Sequence, residues 1–171
     1  MSKFILIKKK IDTFKKKTLS IPGDKSISIR FILLSSLTKG KCTAYNLLDS
    51  DDVTSAIESV KKLGIKIIQK KFKCEIHGKG LFGFKYRKNL ILNAGNSGTT
   101  ARLICSTLID AKYPVKVIGD KSLSMRDMKR ITKPLKLFGI KLKDNNGKLP
   151  ILIKGSKFTK PISYIENLGS A

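Results

Sequence analysis

Two segments of this 171-residue chain combine glycine turns, hydroxyls and an arginine. They are Ser20-Ile21-Pro22-Gly23-Asp24-Lys25-Ser26-Ile27-Ser28-Ile29-Arg30 and Asn96-Ser97-Gly98-Thr99-Thr100-Ala101-Arg102. Each leaves an apolar extended run, turns on glycine and enters a helical pattern. The first turn of a helix leaves backbone N–H groups unpaired and carries the positive end of the dipole, so such entries bind anions. Two of them in one small chain point to a ligand with more than one negative group.

Hydrophobic periodicity sets the elements that must carry these segments. Residues 18–21 read as a short strand ending at Pro22-Gly23, and 25–37 as a helix stopped by Lys39-Gly40. Residues 42–47 alternate as a strand. Asp51 and Asp52 bring acidic side chains to a helix start, where they complement the dipole, and Asp52 reads as its N-cap. Val53, Ala56, Ile57, Val60 and Leu63 give that helix an apolar stripe. Gly64 ends it, and 65–68 with 72–76 follow as a strand pair. The second half repeats the order: strand 90–92, a turn on Gly95 and Gly98, helix 99–108, strand 114–118, and a helix over 125–138 kinked by Pro134. A strand pair then crosses Asn145-Asn146-Gly147, a strong hairpin signal.

Leu63-Gly64-Ile65-Lys66-Ile67 corresponds to Phe138-Gly139-Ile140-Lys141-Leu142. The expected fold is therefore α/β (α+β), a repeated strand-helix-strand-helix-strand-strand unit. One copy covers 18–78 and a second 89–155, and 161–171 begins a third with an opening strand over 161–165. Gly169-Ser170-Ala171 does not read as an ending, since the helix due next is missing.

Composition bounds the rest. With 41% hydrophobic residues the chain can build a core, and no apolar run approaches the roughly 18–20 residues that span a membrane. The start lacks the order of a signal peptide, so a cytoplasmic chain is expected. Cys42, Cys74 and Cys105 lie far apart, and His77 is the only histidine, too few ligands for a Cys/His metal site. The net charge of +24 raises a nucleic-acid partner. Against it, the lysines are spread from end to end, no arginine-rich arm occurs, and aromatics are not interleaved with them as stacking platforms.

Four ordered motifs then carry a specific resemblance. Pro22 to Arg30 fits P-G-[SD]-K-S-x-[ST]-x-R, Asn46 to Asp52 fits N-x-L-x-S-x-D, and Gly95 to Leu103 fits G-N-S-G-T-T-x-R-L. Gly119 to Met128 fits G-D-x-S-L-x-x-R-P-M, with Asp127 in place of the proline. The chain resembles the N-terminal portion of the 5-enolpyruvylshikimate-3-phosphate synthase (3-phosphoshikimate 1-carboxyvinyltransferase) family, well under half of a full-length member. The resemblance implies an inside-out α/β barrel of two domains, each of three such units, with residues 1–17 belonging to the other domain. It implies transfer of the enolpyruvyl group of phosphoenolpyruvate to the 5-hydroxyl of shikimate 3-phosphate, in chorismate and aromatic amino acid biosynthesis. No metal or organic cofactor is implied, and the full-length relative is expected to be a monomer.

Within that resemblance Lys25 faces both substrates as a point charge suited to phosphate. Ser26 and Arg30, one helical turn apart, hold shikimate 3-phosphate. Gly98 admits phosphoenolpyruvate close to the backbone, and the planar fork of Arg126 clamps its anion. Ser170 matches the first residue of a phosphate-holding S-A-Q segment. Asp52, Asn96, Thr99 and Arg102 are supporting candidates. Each has an ordinary alternative: Ser26 as a helix cap, Arg30 paired with Asp52, Gly98 serving its turn, Arg102 bracing the loop. The main acid/base groups belong beyond Ala171, so this chain alone is expected to be inactive. The rival readings are a basic module binding RNA or another polyanion, a decayed remnant, and a relative of the UDP-sugar enolpyruvyl transferases. That last group has asparagine after the lysine, where this chain has Ser26.

Overall fold

The structure, a computed structural model, describes residues 21–156 and 162–166. Segment 1–17, residues 18–20 of the expected first strand, Ser170 and the close of the chain lie outside the described residues. Residues 162–166 carry no strand, contrary to the expectation for 161–165: a strand needs a ladder, and no partner strand pairs with them among the described residues.

The first helix, α1 (Lys25–Ser36), starts under Asp24, whose Oδ1 accepts from the Ile27 N–H at 2.7 Å. Asp24 is the extended residue just before the helix, so it is the cap, and Ser26 is already helical. The helix closes at Leu37, and Gly40, expected as its stop, lies inside β1 (Lys39–Tyr45). Next comes α2 (Asp51–Lys62). Its cap is Ser50, not Asp52, because only Ser50 has the extended backbone and an Oγ that reaches the Val53 N–H. Asp51 and Asp52 fill the first turn, and Lys61 and Lys62 the last, as the dipole favours. Val53, Ala56, Ile57, Val60 and Leu63 are all buried, the stripe the periodicity describes. Strands β2 (Lys66–Lys70) and β3 (Lys73–Lys79) complete an antiparallel sheet in the order β1-β3-β2.

A second sheet follows from β4 (Leu90–Asn93), α3 (Gly98–Thr107) and β5 (Val115–Ile118), with β4 and β5 parallel. Then come α4 (Lys121–Met125), α5 (Lys129–Leu137), β6 (Lys141–Asn145) and β7 (Lys148–Lys154), giving the order β4-β5-β7-β6. The β1-β3-β2 arrangement thus recurs as β5-β7-β6. The β6–β7 turn has Asn146 and Gly147 at φ of 51° and 78°, the left-handed pair that a two-residue hairpin requires.

The helix expected over 125–138 starts only at Lys129: Met125 closes the separate helix α4, and 126–128 form a break between the two. Arg126 is extended (φ −75°, ψ 145°), the Met128 N–H donates to the Gly147 carbonyl at 2.7 Å, and the Asp127 carboxylate takes the Lys129 N–H at 2.5 Å. The 3.6-residue period of Met128, Ile131, Leu135 and Phe138 belongs to α5 alone. That helix runs through Pro134 to Leu137.

All three longer helices pack together, α1 against both α2 and α3. The core joins Ile29, Ile32 and Leu33 of α1 and the α2 stripe with Ala101, Ile104 and Cys105 of α3 and the inner residues Val115, Val117, Ile151 and Ile153 of the second sheet. Each large apolar side chain buried this way contributes about 1.5–3 kcal/mol. On the opposite face of the first sheet, ladder partners align Lys41, His77 and Lys66 in one row and Tyr45, Lys73 and Lys70 in another, with Lys39 beside Lys79. The fold therefore gathers lysines that are dispersed in sequence. Among the described residues Glu75 is the single acid in these three strands, and it pairs with both Lys73 and Lys41.

Candidate functional site

Glycine positions the start of α1. A β-carbon on Gly23 would collide with the Asn46 carbonyl oxygen, so only glycine lets the two motifs touch. Asn46 Nδ2 donates to the Ile21 carbonyl at 3.0 Å. Buried Ser28 bridges the same segments, its Oγ donating to the Asp24 carbonyl at 2.6 Å and accepting from the Leu48 N–H at 3.0 Å. Sequence reasoning assigned Ser28 no role; its only signal was the hydroxyl position in the first motif.

Lys25 lies in the first turn of α1, where a cation opposes the dipole. Its Nζ lies 3.1 Å from Asp52 Oδ2 at the start of α2. Arg30, one turn on, donates from Nη1 to the Ser26 carbonyl at 3.1 Å and is not paired with Asp52, whose carboxylate Lys25 occupies. Lys25 and Arg30 are exposed and Ser26 is half-buried, so this end of α1 presents a cationic rim to solvent.

The second entry is reached through α2. Ser55 sits one turn beyond Asp52, and its Oγ is 2.8 Å from where a Gly95 β-carbon would be. Gly95 takes φ of +58°, and its N–H donates to Asn93 Oδ1 at 2.9 Å. The α3 start follows at once: Ser97 caps it by accepting from the Thr100 N–H at 3.2 Å, and Gly98 is the first helical residue. A β-carbon at Gly98 would lie 3.3 Å from Arg102 Nη1 and 3.7 Å from Arg126 Nη1. Gly98 is thus flanked by two guanidinium groups, at a helix start whose first turn has no acid. Thr99 is half-buried in that turn.

Arg126 is held across a 30-residue gap, donating from Nη2 to Asn96 Oδ1 at 2.5 Å. Asn96 Nδ2 in turn donates to Asp120 Oδ2 at 2.6 Å. Asp120 Oδ1 accepts from the Leu123 N–H at 2.7 Å, capping α4. The Leu123 N–H, the Asn96 amide and the nearby Arg126 charge hold the Asp120 carboxyl below its ordinary value. Arg102 Nη2 donates to the Asp127 carbonyl at 3.1 Å. The link after Arg126 is therefore pinned by hydrogen bonds where the motif has a proline ring. The structure brings Gly98, Arg102, Arg126 and Asn96 together, and joins Lys25 to them through Asp52 and Ser55. Among the described residues no group of three His, Cys, Asp or Glu side chains is placed to hold a metal ion, and no helix is long and apolar enough to cross a membrane.

The model of the EPSP synthase family (3-phosphoshikimate 1-carboxyvinyltransferase) matches residues 10–171. The chain belongs to that family. A 3-phosphoshikimate 1-carboxyvinyltransferase of Streptococcus mutans is 43% identical over 156 residues, 90% of this chain and 36% of that protein. One of Lactococcus lactis subsp. lactis is 40% identical over 91% of this chain and 36% of its own length. A solved EPSP synthase from Acinetobacter baumannii superposes with a TM-score of 0.81 at 33% identity, over 90% of this chain and 35% of that one. The chain spans about a third of the length of these EPSP synthases.

Proposed function

We propose that this chain supplies the substrate-holding part of an enolpyruvyl transfer site, binding shikimate 3-phosphate and phosphoenolpyruvate. The observation that carries the reading is Gly98, set at an acid-free helix start between the guanidiniums of Arg102 and Arg126. A carboxylate and a phosphate on one small molecule match two guanidiniums and free N–H groups. Lys25, Ser26 and Arg30 face the shikimate phosphate from the start of α1, and Ser170 joins them from outside the described residues. Cations placed before the reaction lower the barrier by stabilising charge that develops in the transition state. Asp52 braces Lys25, and Arg102 braces the 126–128 link through its Nη2 while its Nη1 stays toward Gly98.

In this reading 18–78 and 89–155 are two repeat units of one domain, 161–171 opens a third, and 1–17 belongs with another domain. Binding and charge placement are the parts of the reaction that this reading assigns to these residues. Titration of the chain with shikimate 3-phosphate, then with phosphoenolpyruvate, tests the reading. Saturable binding of either, lost in Arg126→Ala or Lys25→Ala, supports it; no binding of both at millimolar ligand defeats it.

A second reading has its own observation, the lysine rows of the first sheet beside Tyr45, which is 69% exposed. A basic face with an exposed ring suits single-stranded nucleic acid. Its signature is binding of oligonucleotides of any sequence that weakens steeply with salt. Lys41→Gln with Lys66→Gln would reduce it, and Arg126→Ala would not.

A further inference from the structure

We infer that Asp120 is a positioning residue for Arg126, acting through the side-chain amide of Asn96. The inference rests on Arg126 being an anion-binding group, as proposed above. Its geometry stands on three contacts. Asp120 is the N-cap of α4 and Arg126 its C-cap, so the two side chains leave opposite ends of a five-residue helix. Both turn to one partner: Asp120 Oδ2 takes Asn96 Nδ2 at 2.6 Å, and Arg126 Nη2 donates to Asn96 Oδ1 at 2.5 Å. The Asp120 N–H also donates to the Gly95 carbonyl at 2.8 Å, which fixes the carboxylate against the loop that carries Asn96.

The chemistry of the groups makes the order directional. An ionised carboxylate only accepts, so it demands the NH2 end of the amide. That leaves the amide oxygen, and no donor, facing the guanidinium. Reversing the amide would set NH2 against a cation with nothing to accept its proton. Asp120 thus decides the orientation of Asn96, and Asn96 decides where the Arg126 fork points. The remaining edge of the guanidinium faces Gly98, where its Nη1 lies 3.7 Å from the position of an added β-carbon.

Exchanging the two groups tests this. Asp120→Asn keeps an oxygen for the Leu123 N–H, and asparagine caps a helix as well as aspartate does. It nevertheless presents NH2 to the Asn96 NH2, so the chain of contacts fails. In the double variant Asp120→Asn with Asn96→Asp, the new carboxylate at 96 accepts from both neighbours, and net charge equals that of the parent. Asn96→Ala cuts the link without touching the cap.

Two readouts are taken on the whole chain: the Arg126 guanidinium NH resonances by NMR at low temperature, and phosphoenolpyruvate affinity by titration. Asp120→Asn and Asn96→Ala are expected to broaden the guanidinium signal and to weaken phosphoenolpyruvate about tenfold, the cost of a charge-assisted hydrogen bond. The double variant is expected to restore the guanidinium signal alone, since its carboxylate sits directly on Arg126 and competes with the ligand. An Asp120→Asn chain with an unchanged guanidinium signal, or a double variant whose guanidinium signal is no sharper than those of the singles, overturns the inference. A parent chain whose signal follows this pattern without binding phosphoenolpyruvate overturns the substrate reading and leaves the positioning role standing.

Discussion

Lys25 Nζ lies 3.1 Å from Asp52 Oδ2, so the first turn of α1 is tied to the first turn of α2 by one ion pair. The lysine side chain is 52% exposed, and pairs this wet contribute about 0–1 kcal/mol. The pair is therefore a weak brace, and it keeps a cation at a helix start where the dipole disfavours one.

Lys25→Ala should leave the urea midpoint nearly unchanged, a loss of less than about 1 kcal/mol. It should weaken shikimate 3-phosphate at least about tenfold, since a charge-assisted phosphate contact is lost. Asp52→Asn should shift affinity the other way, by about two- to fivefold, because the ligand no longer competes with a carboxylate for the ammonium. Calorimetric titration of the three chains separates these effects, and a Lys25→Ala chain that binds like the parent removes Lys25 from the site.

Gly98→Ala should be a ligand-specific change. Its β-carbon meets the ends of two arginine side chains and, at ordinary contact distance, a methyl of Leu123, and alanine is the better helix former by about 1 kcal/mol. Thermal stability should hold or rise, while phosphoenolpyruvate binding should fall more than shikimate 3-phosphate binding. Equal loss of both ligands would count against the placement of phosphoenolpyruvate beside α3.

Gly23→Ala is the opposite case. The added methyl meets backbone at Asn46 and Leu48, which cannot swing aside. Overpacking of this kind costs about 1–3 kcal/mol. The urea midpoint should drop accordingly, and a midpoint equal to that of the parent would mean that the two motif segments are not in contact.

These contrasts show what a sequence exposes. The α2 stripe was legible because five apolar positions repeat at helical spacing, and the β6–β7 hairpin because Asn146-Gly147 suits only a left-handed turn. The break at 126–128 was hidden: Met125 and Met128 continue an apparent period, and what ends the helix is a contact from Met128 to Gly147, close in space only after the hairpin forms. The true caps lie two residues before the expected ones, since Ser50 and Asp52 are both competent and only backbone conformation chooses. Asn96, Asp120 and Arg126 meet across 24 to 30 positions, a separation at which periodicity carries no information. The basic face of the first sheet was hidden for the same reason, since its rows exist only in the ladder register.

Thiol chemistry gives an independent check on the packing. Cys105 is fully buried, and burial pushes its thiol up to about 12. Cys74 is buried in the first sheet, and its thiol is raised for the same reason. Cys42 is half-exposed beside Thr38. Alkylation of the native chain at pH 8 should therefore modify Cys42 first, with Cys74 and Cys105 reacting only in denaturant. Peptide mass spectrometry reads the order directly, and early labelling of Cys105 would contradict the core described above.

Asp144 should make the second sheet acid-sensitive. Burial would raise its carboxyl, but hydrogen bonds from Lys136 and the Gly147 N–H outweigh that, and the group sits below its ordinary value. Its Oδ2 lies 2.6 Å from Lys136 Nζ, and its Oδ1 accepts from Gly147 at 2.8 Å, joining α5 to the hairpin turn. A carboxyl with a lowered folded value adds stability that is fully present above the unfolded value, here 3.8, and is lost as pH falls through the folded one. Asp144→Asn should cost about 1–2 kcal/mol at pH 7, where the ionised parent holds Lys136. As pH falls below 3.8 the parent's carboxyl protonates and the two unfolding curves should converge. A difference that stays constant from pH 7 to pH 2 would show that the loss comes from packing, with the ionised carboxylate contributing nothing.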